Sequence, residues 1–112
     1  MTRLVKIVVF VPETHAEAVR IAMGESGAGK IGNYNYCSFS SKGIGRFKPL
    51  DGAHPFIGGV GKMEEVAEVR IEMVCEKDKA RAVITAMRQV HPYEEVAFDI
   101  YPLIAEEDLL LK

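Results

Sequence analysis

The chain has 112 residues, 48% of them hydrophobic, and a formal net charge of −2. That size fits one domain spanning 1–112 with a real core, and the composition excludes a disordered chain. No Lys/Arg run marks a nucleic-acid binder, and apolar stretches such as residues 7–11 are far too short to cross a bilayer.

Arg3 and Lys6 precede no long apolar region or small-residue cleavage site, so no signal peptide is expected and the default location is cytoplasmic. Two cysteines, Cys37 and Cys75, are too few for a disulfide framework. Each sits in a strand-like run, which predicts buried free thiols.

Residues 4–11 (LVKIVVFV) are rich in β-branched side chains and predict a central strand, stopped by Pro12. Thr14-His15-Ala16-Glu17 has the spacing of a capping box, and Ala18, Ile21 and Ala22 supply an apolar face for the first helix. Gly24 and Gly27 end it. All ten glycines lie between Gly24 and Gly61, so two regular halves flank a turn-rich middle. Within that middle, residues 33–39 read as the second strand. The connection over 40–65 exceeds ordinary loop length, with residues 46–50 and 55–57 available for a short extra hairpin.

The alternation over residues 66–75 is the clearest in the chain. Val69, Ile71, Met73 and Cys75 point one way, and Glu68, Arg70 and Glu72 the other. Asp78 is placed to cap a second helix whose stripe is Ala80, Val83, Ile84, Met87 and Val90; His91-Pro92 closes it. A last strand is expected over 96–103, with Val96, Phe98 and Ile100 on one face. Leu109, Leu110 and Leu111 are expected to dock on the body or on a neighbour.

The order is β-α-β, a long glycine-rich connection, then β-α-β. This predicts an α+β, ferredoxin-like split βαβ fold (βαββαβ) with an antiparallel sheet. Such a topology puts the turns at 12–14, 40–65 and 91–95 at one end of the molecule, and those at 24–32 and 76–78 at the other.

Several motifs carry possible chemistry. Residues 24–30 match the spacing G-x-x-x-x-G-K, but Ile31 stands where a P-loop needs a hydroxyl, and the segment follows a helix instead of a strand. A glycine-rich helix exit accounts for it. His91-Pro92-Tyr93-Glu94-Glu95 packs an imidazole and two carboxylates into five residues, with His54 expected at the same end. His54, His91 and Glu94 are therefore the candidate ligands for a divalent metal. The same residues also read as a helix-ending turn with locally hydrogen-bonded side chains. Gly58, Gly59, Gly61 and Lys62 are candidates for an anion- or cofactor-binding nest, and equally for a flexible turn. Tyr34, Tyr36 and Phe39 lack the basic groove of a base-stacking platform and suit core or interface packing. No placed nucleophile is legible.

In combination, Gly27-Ala28-Gly29-Lys30-Ile31-Gly32-Asn33-Tyr34, Cys37-Ser38-Phe39, Gly43-Ile44-Gly45-Arg46-Phe47-Lys48-Pro49, Gly52-Ala53-His54-Pro55 and Glu68-Val69-Arg70-Ile71-Glu72 resemble a domain of the Nif-three-like family. There it is inserted in a larger dinuclear-metal protein sometimes labelled GTP cyclohydrolase type 2. His91-Pro92-Tyr93-Glu94-Glu95-Val96-Ala97-Phe98 resembles the end of that insert and, more loosely, of CutA proteins. The resemblance covers roughly residues 2–103 and reads as the insert standing alone. It implies a PII/CutA-like fold and a homotrimer, with small effectors bound between subunits near the β2–β3 and α2–β4 loops. It does not carry over the parent chemistry, because the segments bearing that family's metal ligands have no counterpart in these residues.

The expectation is thus a non-catalytic homotrimer that binds a small ligand or divalent metal at subunit clefts, with neither nucleic acid nor membrane as partner. The alternatives are an interaction module docking a separate protein and, behind it, a small enzyme using His91 or Glu94 as acid/base.

Overall fold

The computed structural model describes residues 3–109. Four strands form one antiparallel sheet in the order β2-β3-β1-β4, with β1 at Leu4–Pro12, β2 at Phe39–Phe47, β3 at Glu64–Glu76 and β4 at Phe98–Pro102. Two helices, α1 (Ala16–Glu25) and α2 (Ala80–Val90), cover one face. This is the predicted split βαβ topology, with central strands β1 and β3 paired from Leu4↔Glu76 to Pro12↔Glu68. No helix among the described residues is long and apolar enough to cross a membrane.

The core lies between helices and sheet. Val5, Ile7, Val9 and Val11 of β1 and Val69, Ile71, Met73 and Cys75 of β3 face it, as the alternation in β3 predicted. From α1 it takes Val19 and Met23, and from α2 Ala80, Val83 and Met87. The buried stripe of α1 thus differs from the expected Ala18, Ile21 and Ala22. It runs through Ala16, Val19 and Met23, an equally helical spacing that buries larger side chains, while Ile21 stays 37% exposed.

Both helices begin in the same way. An extended residue (Pro12 or Glu76) enters a 3-10 turn, Glu13–His15 or Lys77–Lys79, that runs into the helix without a side-chain cap. The expected caps from Thr14 and Asp78 are therefore absent; the Thr14 hydroxyl instead bonds His15 Nδ1 at 2.8 Å. Helix α1 ends in a Schellman motif. Gly27, at φ 117°, donates to Gly24 O, and Ala28 donates to Met23 O, with Met23 and Ala28 both in the core. The Ser26, Gly27 and Ala28 amides of the P-loop-like segment are spent on this helix exit, and Gly29 N–H is bonded to Val74 O.

The second strand lies later than predicted. Residues 33–38 form an exposed turn region, and the strand is Phe39–Phe47, drawn into the sheet by pairing with β3 from Phe39↔Glu72 to Phe47↔Glu64. Its two glycines, Gly43 and Gly45, made it look like loop. Cys37 consequently sits half-buried in the turn, whereas Cys75 is buried as expected. The long connection shrinks to 48–63 and contains no extra hairpin. Strand β4 is shorter than expected and lies at a sheet edge, where Phe98 packs on the core but Ile100 is 43% exposed. Of the C-terminal leucines, Leu109 is exposed, and Leu110 and Leu111 lie outside the described residues.

Beyond Pro12, β2 and β3 continue without β1 beside them, as a two-stranded arm. The arm stretches the protomer to 54 × 30 × 24 Å with a radius of gyration of 15.9 Å, against about 13 Å for a compact domain of this length.

Candidate functional site

Register decides what the helix-free face of the sheet presents. Phe39, Ser41, Gly43, Gly45 and Phe47 of β2 stand opposite Glu72, Arg70, Glu68, Val66 and Glu64 of β3. Arg70 in turn stands opposite Phe10 of β1, with its guanidinium 5.6 Å from the Phe10 ring centroid and bonded to Glu72 at 3.2 Å. At the arm end of this face, the 48–63 loop and the 91–97 turn fold over the sheet. They enclose a cleft of about 690 Å³, whose walls include Phe10, Phe47, Phe56, Glu68 and Tyr93. Loop and turn touch directly where His54 N–H donates to Glu94 Oε1 at 2.6 Å. An aromatic cluster reinforces the contact, with Phe56 and Phe47 packing on Tyr93 at centroid distances of 6.5 and 5.9 Å.

Three side chains organise the floor and rim. His91 is 7% exposed. Its Nδ1 accepts the Tyr93 N–H at 3.1 Å, so Nε2 carries the proton and donates to Phe10 O at 2.9 Å. Burial pushes its pKa below the usual histidine value, opposed by the bond to Phe10 and by the charge of Glu68. The Tyr93 hydroxyl donates to Glu68 Oε2 at 2.9 Å. Burial first, and then the Glu68 carboxylate, raise the phenol far above the ordinary tyrosine range. Glu68 is only 9% exposed. Gly45 makes room for it, since a Cβ there would overlap its carboxylate. No sequence pattern announced Glu68 or Gly45. The alternation in β3 marked Glu68 as outward, and outward here means into a roofed cleft.

The structure brings the expected metal-site residues to one end, but not into one coordination sphere. His54 and Glu94 meet through a backbone amide, while His91 turns inward with both ring nitrogens engaged. Among the described residues, no group of three or more His, Cys, Asp or Glu side chains is placed to hold a metal ion. The glycine-rich segment at 58–62 is a turn. Gly58 and Gly61 have φ of 90° and 84°, Gly61 N–H donates to Pro49 O, and Lys62 N–H donates to Gly59 O. Gly58, Gly59, Gly61 and Lys62 all lie outside the cleft wall.

Comparison with known proteins places the chain. No family model matches it. The GTP cyclohydrolase 1 type 2 homolog of Bacillus subtilis is 60% identical over 100 residues, covering 89% of this chain and 27% of that protein. Its namesake from Halalkalibacterium halodurans is 52% identical over 107 residues, covering 96% and 29%. The chain thus spans between a quarter and a third of the curated relatives it matches. A Bacillus cereus protein related to NIF3 superposes with a TM-score of 0.79 at 53% identity, over 91% of this chain and 26% of that one. The CutA1 protein of Shewanella sp. SIB1 superposes at 0.68 over 93% and 84%, with only 17% identity, which speaks for the fold alone. By sequence and by fold, the chain is homologous to the CutA-like segment of the Nif-three-like proteins, those named GTP cyclohydrolase 1 type 2 homolog.

Proposed function

We propose that the chain is a homotrimeric, non-catalytic binding module whose ligand site is the cleft between the 48–63 loop and the 91–97 turn. The observation that carries this reading is the cleft itself, on a sheet face that no helix covers. Its volume suits a small molecule. The protomer supports assembly in two ways. Along edge strand β2, Phe39 in the full sheet and Ile44 in the arm are more than half exposed, and an edge strand of that kind is stabilised by a neighbour. Binding is favoured over catalysis because the polar atoms of His91 and Tyr93 are committed to internal bonds. The cyclohydrolase named in the relatives is not transferred to a chain matching so small a share of them.

A divalent cation is the second ligand class, in keeping with the name of the CutA structural neighbour from Archaeoglobus fulgidus, a divalent cation tolerance protein. It would have His54 and Glu94 as first ligands and would require His91 to release Phe10 O and Tyr93 N, so the organic ligand ranks above it. A protein-docking role has one specific support: Ile31 and Tyr34, 55% and 73% exposed, lie on the α1–β2 connection away from the cleft.

Light scattering tests the assembly, with a mass three times the 12.4 kDa chain expected. A monomer at micromolar concentration would end the trimer reading. Thermal-shift titration with small organic molecules and with zinc, copper and nickel salts tests the cleft. Stabilisation by an organic ligand is expected; stabilisation by metals alone would reverse the ranking.

A further inference from the structure

Charge inside the cleft is unevenly compensated. Four cations line it, and three of them already have a carboxylate: Lys42 with Glu13 at 3.9 Å, Arg46 with Glu65 at 3.0 Å and Arg70 with Glu72 at 3.2 Å. None of these carboxylate partners lines the cleft. The cleft's own carboxylates, Glu68, Glu94 and Glu95, have no cation within 4 Å among the described residues. Glu68 and Glu94 accept only neutral donors, the Tyr93 hydroxyl and the His54 amide. The cleft is thus lined by four cations and three carboxylates, but among the described residues three of the cations are held in ion pairs and none of the carboxylates is.

Glu68 is the most consequential of the three. It is 9% exposed; Tyr93 occupies Oε2, while Oε1, over Gly45, has no donor among the described residues and stays open to the cleft, since no fully buried side-chain oxygen there lacks a partner. A carboxylate oxygen open to a cleft and without a charged partner is an acceptor that a ligand's cation can take with a charge-assisted hydrogen bond. Tyr93, which holds the carboxylate, is grouped with Phe47 and Phe56 in the cleft wall. Aromatic faces also attract cations.

We propose that the cleft recognises a small organic cation, an ammonium or guanidinium on an apolar body, with its charged head on Glu68 Oε1 and its body against Tyr93, Phe47 and Phe56. This rests on the ligand-cleft reading above but not on the trimer, since Glu68, Tyr93, Phe47 and Phe56 all belong to the same protomer. Glu94 and Glu95 at the rim add attraction for the incoming charge.

The test is an NMR titration of the full chain with phenethylamine, phenethyl alcohol and phenylacetate, which share an aromatic body and differ in charge. Phenethylamine is expected to bind at least tenfold more tightly than the alcohol, and phenylacetate more weakly than either. Glu68→Gln should bring the amine down to the level of the alcohol. Gly45→Ala should weaken amine binding by crowding the same carboxylate, and it keeps the test decisive if Glu68→Gln does not fold. Equal affinity for amine and alcohol, preference for phenylacetate, absence of amine binding, or an unchanged amine affinity in both variants would overturn the proposal. So would a drop in assembly mass for Glu68→Gln in a protein that takes no amine, because Glu68 would then pair with a cation of a neighbouring copy. A monomer that binds amine through Glu68 would support this proposal while overturning the trimer.

Discussion

The Tyr93 hydroxyl donates a 2.9 Å hydrogen bond to Glu68 Oε2 across 25 positions of sequence. One bond thereby ties the turn after α2 to the outer face of β3. The same residue's backbone N–H bonds His91 Nδ1, and His91 Nε2 bonds Phe10 O. Three elements, β1, β3 and the 91–97 turn, are locked by a chain of hydrogen bonds at the floor of the cleft.

Tyr93→Phe removes the donor and leaves a buried carboxylate with no partner. Hydrogen bonds to charged groups contribute about 1.5–3 kcal/mol, so urea unfolding should show a loss in that range. The sign of the alkaline effect follows from the raised phenol pKa. The folded state holds the neutral phenol, so its contribution is complete below about pH 10, the ordinary tyrosine value, and is lost as pH rises beyond it. Wild type should therefore lose stability above pH 10 faster than Tyr93→Phe. Identical midpoints for the two proteins at neutral and alkaline pH would show that the bond contributes nothing.

How much of this was legible in the sequence depended on how local the signal was. The alternation of β3 and the apolar stripe of α2 are local patterns, and both elements formed where they read, except that Val90 at the end of the α2 stripe is exposed. Strand β2 carries no such pattern. Ser40, Ser41, Lys42, Gly43 and Gly45 have weak strand preference, and pairing with β3 overrides it. The site was half legible. Topology alone put the 40–65 connection and the 91–95 turn at one end, and the 54–94 contact bears that out. The inward rotation of His91 and the recess behind Gly45 depend on three-dimensional neighbours far along the chain. Nothing in the five residues around position 91 tells whether an imidazole faces water or Phe10 O.

Gly29 is a position where the backbone tolerates nothing larger. It has φ 83°, and an added Cβ would lie 2.6 Å from Cys37 O and 2.7 Å from Cys37 N. Its N–H and C=O bond Val74 O and Cys37 N, stitching the 26–38 connection to β3. Gly29→Ala combines backbone strain of about 1–3 kcal/mol with that overlap, and should cost more than 2 kcal/mol or leave the protein unfolded. Gly43 has open space and no positive φ, so Gly43→Ala should fall within about 0.5 kcal/mol of wild type. Chemical denaturation of both variants checks the contrast; equal costs would refute the close-approach argument.

The two thiols should separate kinetically. Cys75 is 2% exposed in the core, and burial raises its pKa, both of which suppress the reactive thiolate. Cys37 is half-buried in the exposed turn. Under native conditions an aromatic disulfide reagent should modify one thiol per chain quickly and the second only at the rate of unfolding. Cys37→Ser should abolish the fast phase. Two fast thiols in native wild type would contradict the burial of β3.

His91 gives the fold an acid-side weakness whose direction can be worked out. Burial lowers its pKa in the folded state, and both ring nitrogens are committed to the neutral form, Nδ1 as acceptor and Nε2 as donor. Above about pH 6.5, the ordinary histidine value, the ring is neutral whether the chain is folded or not, and its full contribution is present. As pH falls below that value the unfolded chain takes up a proton that the folded chain refuses, and stability is lost, by up to about 1.4 kcal/mol per pH unit, until the folded ring also protonates. Protonation would then put a second donor against the Tyr93 N–H, loosening the turn that roofs the cleft. His91→Gln keeps a donor for Phe10 O without a titrating ring. The gap in urea midpoint between wild type and this variant should therefore narrow steadily from pH 7.5 to pH 5, because only wild type carries the penalty. A gap independent of pH would mean that the ring titrates alike in both states, and the buried, doubly bonded imidazole would have to be abandoned.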